Sequence, residues 1–261
     1  MTRLLAAEVR KFGTIWSTWL IFGITALAVA VFGTIVGFVR PGRRTRDLLE
    51  PLRGTSRWFD LVFSTLSIAL DLALVLGILC VTGEYRHKTV TPTYLAEPRR
   101  GRVVVAKLLA SAGGGAVIAV VGGVVALGLG LSVVGAGIGT GGRMLTEYGH
   151  VFPGILAGSV LYAVYGVGLG ALLKNQVVAL VTGLGVAAVV EPIIDAAVPS
   201  VGRWLPGQAA QALYSVTAHA GGFGSGTTNL VAWWQGALAL LGYGLVLAVF
   251  GSLTTLRADV T

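Results

Sequence analysis

The sequence predicts an all-α membrane protein with an N-terminal interfacial amphipathic helix and six transmembrane helices. The 261 residues are 55% hydrophobic and only 11% charged, whereas soluble domains carry about 25% charged residues. Several apolar runs also reach the roughly 20 residues that a helix needs to cross a bilayer. An open sheet would leave peptide groups unpaired in lipid, and a β-barrel would alternate apolar and polar residues in short segments. Continuous apolar runs therefore favour helices.

The first sixteen residues have the pattern of a surface-lying helix over 2–16. An apolar stripe recurs at the spacing i, i+4, i+7 and i+11 and consists of Leu5, Val9, Phe12 and Trp16. The charged side chains lie away from that stripe: Arg3, Glu8, Arg10 and Lys11. Such a helix places its apolar face in the acyl boundary, although an ordinary charged tail would have a similar composition. The apolar run that follows is too long for a signal peptide and predicts a retained span.

The remaining chain is predicted to form a single transmembrane domain over 1–261. Its spans are expected at residues 19–39, 61–82, 103–134, 151–173, 177–195 and 230–253. The third apolar run is too long for one perpendicular helix. It predicts one long or tilted span, or else a hairpin at Gly113–Gly115 that would add a span.

Three polar segments connect these spans. Residues 40–60 contain six arginines, residues 83–102 separate spans two and three, and residues 196–229 are interrupted by proline and glycine. The last of these segments predicts short helices on the outer side. Six spans place both termini and 83–102 on one side, which carries eleven Lys and Arg residues against eight. The positive-inside rule therefore favours a cytoplasmic location for the termini and for 83–102.

Three carboxylates fall within or beside the spans. Glu191 and Asp195 are four residues apart and share a helix face, which suits an acid pair, a cation site or two carboxylates at the outer interface. Asp71 in span two is expected to face protein or a transport pathway, because a charge in lipid is costly. The three histidines lack the spacing of a metal site, so no metal is predicted. The net charge of +8 lacks a basic-aromatic platform, so no nucleic-acid partner is predicted.

Glycine patterns and an absent motif add two further expectations. Three small-xxx-small pairs predict close helix packing: Gly33 and Gly37, Gly154 and Gly158, and Gly166 and Gly170. The sequence has no P-loop motif, so any ATP-driven activity requires a separate ATPase.

The segment 83–102 contains its own short helix. Thr91 and Pro92 form a helix-start signal, and Glu97 before Pro98 forms a stop. These signals predict a helix over 89–96 that presents Tyr94 and Leu95. An exposed short helix between charged flanks suits docking into a groove on a partner, whereas a plain positive-inside loop would need no partner.

Two segments carry a resemblance to a known family. The sequences GEYRHKTVTPTYLAEPRRGRVVVAK, residues 83–107, and RWLPGQAAQAL, residues 203–213, resemble membrane permeases of type 2 ABC exporters, of the actinobacterial kind. The resemblance implies a permease in the cell membrane, paired with a second, typically identical protomer and two ATPase subunits that bind ATP and Mg²⁺. It also implies export of a hydrophobic or amphiphilic drug, natural product or lipid.

Within that resemblance, the segment 83–102 corresponds to the coupling loop beneath the spans. The residues expected to couple to the ATPase subunit are Glu84, Tyr85, Arg86, Thr91, Tyr94 and Leu95. The arginine-rich segment 40–60 departs from the family, which leaves open whether it has a role of its own, such as binding anionic lipid or a cell-envelope polymer. Two other classes stay open: an intramembrane hydrolase using Glu191 and Asp195, and a carrier or scaffold that needs no ATP.

Overall fold

The computed structural model describes residues 2–38, 62–97, 99–135, 149–214 and 230–258. The described residues form helices joined by turns and short irregular segments, without any strand. The helices in chain order are α1 Thr2–Thr14, α2 Trp16–Phe38, α3 Ser67–Arg86, α4 Val90–Ala96, α5 Arg100–Gly135, α6 Val151–Leu173, α7 Gln176–Gly185, α8 Glu191–Ala197, α9 Pro199–Gly202, α10 Pro206–Tyr214 and α11 Trp233–Ala258. The arginine-rich segment 40–60 and residues 215–229 lie outside the described residues.

Among the described residues, six helical segments are long and apolar enough to cross a membrane. They are Trp16–Ile35, Val62–Arg86, Gly101–Ser132, Val151–Leu173, Gln176–Ala197 and Trp233–Gly251. The prediction of an all-helical, multi-pass membrane protein is therefore confirmed. The ends of these segments differ from the predicted ones by a few residues, because helix ends fray and apolar run length does not fix the terminal turn.

The third of these segments belongs to one unbroken helix. Helix α5 has 36 residues and continues through Gly113–Gly115 without a break. The alternative hairpin at these glycines is therefore wrong. At 1.5 Å per residue the helix is ~54 Å long, whereas the hydrocarbon core is about 30 Å thick. Helix α5 therefore either tilts or extends beyond the apolar layer.

Helix α6 lies at the centre of the bundle and packs against α3, α5, α10 and α11. The glycines of its two small-xxx-small pairs lie where α6 approaches neighbouring helices most closely. A Cβ at Gly166 would meet the Leu74 carbonyl of α3, and one at Gly154 would meet the backbone of Leu213 in α10. Gly77 of α3 likewise faces the Ala163 carbonyl. Because a side chain would separate these backbones, glycine permits the contact.

The fifth span changes its helical repeat partway along. A π-helical turn, Val186–Val190, joins α7 to α8. Pro192 follows in the first turn of α8. Proline has no N–H and its ring collides with the carbonyl four residues earlier in a regular helix. The wider turn beside it lets the span continue to Ala197, past the predicted end at 195.

Candidate functional site

Four charged side chains meet at the end of the bundle that carries α1 and α4. They form the ion-pair cluster, which consists of Glu8, Lys11, Glu84 and Lys107. The Lys107 Nζ donates a hydrogen bond to Glu84 Oε1 at 2.6 Å, and Lys11 Nζ donates to the same oxygen at 2.7 Å. Lys11 Nζ also donates to Glu8 Oε1 at 2.8 Å. Glu8 Oε2 lies 3.5 Å from Lys107 Nζ. The cluster therefore joins α1, α3 and α5.

The cluster is buried and its charges balance. Glu8 is 2% exposed and Lys107 is 6% exposed. Two carboxylates offset two ammonium groups, which a buried site requires because an unpaired charge there is very costly. For Lys11, burial alone would lower the pKa, but the hydrogen bonds and charges of Glu8 and Glu84 outweigh it and raise the pKa above its ordinary value. The two carboxylates thus favour the charged form of Lys11.

Helix α1 differs in one respect from the surface-lying helix that the sequence predicts. The sequence groups Glu8 with the outward charges, whereas the structure places it inside the bundle. The predicted apolar stripe also divides. Leu5 and Phe12 are half-buried, and Val9 and Trp16 are exposed. Pairing with Lys107 explains the difference, because a carboxylate with a buried ammonium partner can leave water.

The turn between α3 and α4 has a defined geometry. Lys88 has a left-handed backbone, with φ of 55°. The Thr89 N–H donates to the Glu84 carbonyl at 2.9 Å, and the Lys88 N–H donates to the Tyr85 carbonyl at 3.3 Å. This pair of bonds is a Schellman motif, which satisfies the last carbonyls of a helix. Glu84 therefore holds the turn through its backbone and the ion-pair cluster through its side chain.

The short helix α4 starts and stops near the predicted points. It spans Val90–Ala96, and Glu97 takes an extended backbone before Pro98, as the stop signal predicts. Leu95 is 78% exposed, so the helix presents an apolar tip. The side chains of Thr91 and Tyr94 lie outside the described residues.

Two further predicted coupling residues surround the turn. Arg86 is exposed, and its Nη1 donates to Gln176 Oε1 at 3.2 Å, linking the end of α3 to the start of α7. Tyr85 is half-buried and lies beside Val90 of α4. On the other side of Glu84, a cavity of about 750 Å³ opens between α1, α2, α3 and α4. The structure thus brings Glu84, Tyr85 and Arg86 together at the base of α4.

At the opposite end of the bundle, the short helices α9 and α10 cover the two predicted carboxylates of span five. Glu191 is 3% exposed and Asp195 is also buried. The Gly207 N–H, in the first turn of α10, donates to Glu191 Oε2 at 2.7 Å. A carboxylate at this position satisfies a free N–H and complements the helix dipole. Asp195 packs against Gly202 of α9.

A second cavity, of about 520 Å³, lies beside Glu191. Asp71 of α3 is exposed and lines it, together with Glu191 and Tyr162. Gln208 and Gln211 of α10 complete its polar wall. Neither glutamine was among the predicted site residues, although their three-residue spacing places both on one face of a short helix. Asp195 is not among the residues that line this cavity.

Within the described part of the chain, no three His, Cys, Asp or Glu side chains group closely enough to hold a metal ion. A scan against models of known protein families finds no match, and a search of curated proteins finds no match either. The fold defines the chain as a multi-pass helical membrane protein.

Proposed function

We propose that the chain is the membrane subunit of an ATP-driven exporter that moves hydrophobic or amphiphilic molecules out of the cytoplasm. One observation carries the proposal. The exposed helix α4 is attached to the bundle through the Schellman turn at Lys88 and the ion-pair cluster around Glu84. A force on α4 would therefore reach α3, α5 and α1 together.

The surface of α4 suits a protein partner. Its exposed Leu95 is an apolar tip, and Arg99 and Arg102 are exposed beside it. Short helices with an apolar anchor commonly dock into a groove. The proposed coupling residues then divide by role. Leu95, with Thr91 and Tyr94, would contact the ATPase subunit, and Glu84, Tyr85 and Arg86 would transmit the movement.

The proposed assembly has two such chains and two ATPase subunits, which supply ATP and Mg²⁺. The spans that contain α2, α7 and α11 are the least buried in the bundle, so their apolar faces are available to a second membrane partner. Examples are Leu27, Val177 and Val181. Another protomer or lipid would cover these faces. The proposed location is the cell membrane, with both termini and 83–102 in the cytoplasm.

The hydrolase alternative has less support. Glu191 accepts a backbone hydrogen bond from α10, and Asp195 packs beneath α9 outside the cavity. These contacts suit carboxylates that position short helices. A carrier or scaffold would share the same fold, and it differs from an exporter subunit by needing no ATPase.

The proposal is tested by searching the neighbouring reading frames for a P-loop ATPase and co-expressing it with the chain. We expect the two proteins to co-purify and to transport with ATP. Leu95→Asp should abolish ATPase binding or coupled transport, because a charge replaces the apolar tip. Glu84→Ala should uncouple ATP hydrolysis from transport.

Two controls sharpen this experiment. Leu95→Met keeps an apolar tip and should retain coupling. Val201→Asp places the same charge on an exposed apolar position of α9 at the opposite end, and should also retain it. Membrane levels of every variant are measured by immunoblot. Normal transport by both Leu95→Asp and Glu84→Ala would contradict the proposed coupling role of α4.

A further inference from the structure

The cavity between α1, α2, α3 and α4 extends from the membrane surface into the apolar layer. Its volume is about 750 Å³. Arg86, the last residue of the second membrane-spanning segment, lines its polar end together with His87. Leu79 lines it about 10 Å further along α3, at the 1.5 Å rise per residue of a helix. One leaflet of the hydrocarbon core is about 15 Å thick, so the cavity covers the depth of a lipid head group and the first part of an acyl chain.

Two tryptophans give independent evidence for this depth. Trp16 is 79% exposed and Trp19 is 59% exposed at the beginning of α2. Exposed tryptophan side chains collect at the membrane–water interface. Ser17 and Thr18, from the same turn, line the cavity. The part of the cavity beside α2 therefore lies at the level of the interface.

The polar end of the cavity carries one surplus positive charge. The carboxylates that line it, Glu8 and Glu84, are neutralised within the ion-pair cluster by Lys11 and Lys107. Arg86 is exposed, and its Nη1 donates to the neutral amide of Gln176. None of the salt bridges in the described part of the chain includes Arg86. Its charge is therefore available to an anion.

The walls on the membrane side are apolar. Half-buried Leu4 and Phe12 of α1 line the cavity, as does Ile15, which is 48% exposed. Leu79 faces them from α3. A mostly apolar cavity with a few polar groups at one end is typical of sites for small amphiphilic ligands. The positive charge at the polar end favours a ligand whose head group is negative.

We propose that this cavity binds one anionic phospholipid, with its phosphate at Arg86 and an acyl chain between Phe12 and Leu79. The planar guanidinium group suits phosphate, because it offers several N–H donors in one plane. Basic pockets between spans on the cytoplasmic side are typical sites for anionic head groups, which are abundant in that leaflet. The choice of leaflet rests on the proposed orientation, whereas the lipid site itself does not.

Binding is measured by native mass spectrometry on the purified, full-length chain in non-ionic detergent, without an ATPase. The probes are a phosphatidylglycerol and a phosphatidylcholine with identical acyl chains, and glycerol 3-phosphate, which has the phosphate without the chains. We expect one saturable phosphatidylglycerol adduct per chain. Phosphatidylcholine should bind about fivefold more weakly, the factor that one basic residue contributes toward an anionic lipid surface. Glycerol 3-phosphate should not compete.

Two variants test the two ends of the site. Arg86→Gln removes the surplus charge and should weaken phosphatidylglycerol binding about fivefold. Gly83→Leu should prevent binding of both lipids, because Gly83 lines the cavity and a Cβ there would have nothing within 4 Å, so the new side chain would occupy the cavity.

Each variant has a matched control outside the cavity. Arg99→Gln removes an exposed charge near α4 that does not line the cavity. Gly113→Leu adds the same side chain at a glycine of α5 that is equally open and does not line the cavity. Both controls should retain the original affinity. Thermal unfolding of all four proteins checks that they fold.

Several results would overturn the assignment. Equal affinity for the two lipids or an unchanged affinity in the Arg86→Gln protein would each do so. Competition by glycerol 3-phosphate would indicate a soluble phosphate ligand instead, and a homodimer without a lipid adduct would assign the cavity to a second copy of the chain. The outcome is separable from the exporter proposal. Lipid binding with no ATPase partner would contradict only the exporter, and ATP-coupled transport without a lipid adduct would contradict only this site.

Discussion

Lys107 Nζ lies 2.6 Å from Glu84 Oε1, and this contact joins the beginning of α5 to the last turn of α3. Helix α4 lies between these two helices in the chain, so the ion pair closes the base of the α4 loop. Glu8 and Lys11 extend the same contact to α1. The base of the loop is therefore held by charges from three helices.

Loss of Lys107 should strongly destabilise the chain. Lys107→Met leaves Glu8 and Glu84 with Lys11 as their remaining cationic partner in the cluster. Removing one member of a buried ion pair typically lowers the free energy of unfolding by about 3–5 kcal/mol. Thermal unfolding in detergent should show a large decrease in Tm. Lys11→Met, at a half-exposed position, should cause a smaller decrease, and equal decreases would show that burial does not set the strength of these pairs.

The contact between α3 and α6 should not tolerate a methyl group at Gly77. In Gly77→Ala the added Cβ would meet the Ala163 carbonyl, and overpacking of this kind costs about 1–3 kcal/mol. Gly113→Ala is the matched control in α5, because its Cβ would have nothing within 4 Å. That variant should be neutral or more stable by up to about 1 kcal/mol. Thermal unfolding distinguishes them, and a stable Gly77→Ala protein would exclude the close backbone contact.

The start of span five should depend on Asn175. Its Oδ1 accepts hydrogen bonds from the backbone N–H groups of Val177 and Val178, at 3.0 and 3.2 Å. Asn175→Ala should lower the free energy of unfolding by about 0.5–2 kcal/mol, the usual value for loss of a helix N-cap. Asn175→Asp keeps the acceptor and should retain most of the stability. If the Asp and Ala variants were equally unstable, capping would not be the cause.

Membrane orientation can be tested with introduced cysteines, because Cys80 is the only cysteine in the chain. In a Cys80→Ser background, Leu95→Cys and Val201→Cys place single thiols at exposed positions at opposite ends. An impermeant maleimide should label the Val201→Cys protein in intact cells. It should label the Leu95→Cys protein only in inverted vesicles, and the reverse pattern would contradict a cytoplasmic α4.

The membrane-spanning helices could be predicted from the sequence better than the contacts between them. The length of an apolar run depends only on consecutive residues, and it indicates the six membrane-spanning segments. The stop at Glu97 is also local, because Pro98 restricts the residue before it. The meeting of Glu8 with Lys107 is different. These residues are 99 positions apart, and only the packing of α1 beside α5 brings them together.

The cavity at the opposite end shows the same limit. The sequence identifies Asp71 and Glu191 as carboxylates that are costly to place in a membrane. It does not indicate which side chains surround them. The fold adds Gln208 from α10 and separates Asp195 from the cavity. Both outcomes depend on how the short helices fold back over span five, which apolar periodicity does not indicate.

The π-helical turn at Val186–Val190 sets the rotational phase of everything that follows it in span five. A regular α-helix advances about 100° per residue, and a π turn accommodates one additional residue. Removing that residue would rotate Glu191 by roughly one such step relative to α7. The Glu191 carboxylate would then contact neither the N-terminus of α10 nor the cavity. The two halves of span five therefore face different neighbouring helices. The additional residue in the π turn sets the rotation of α8 relative to α7.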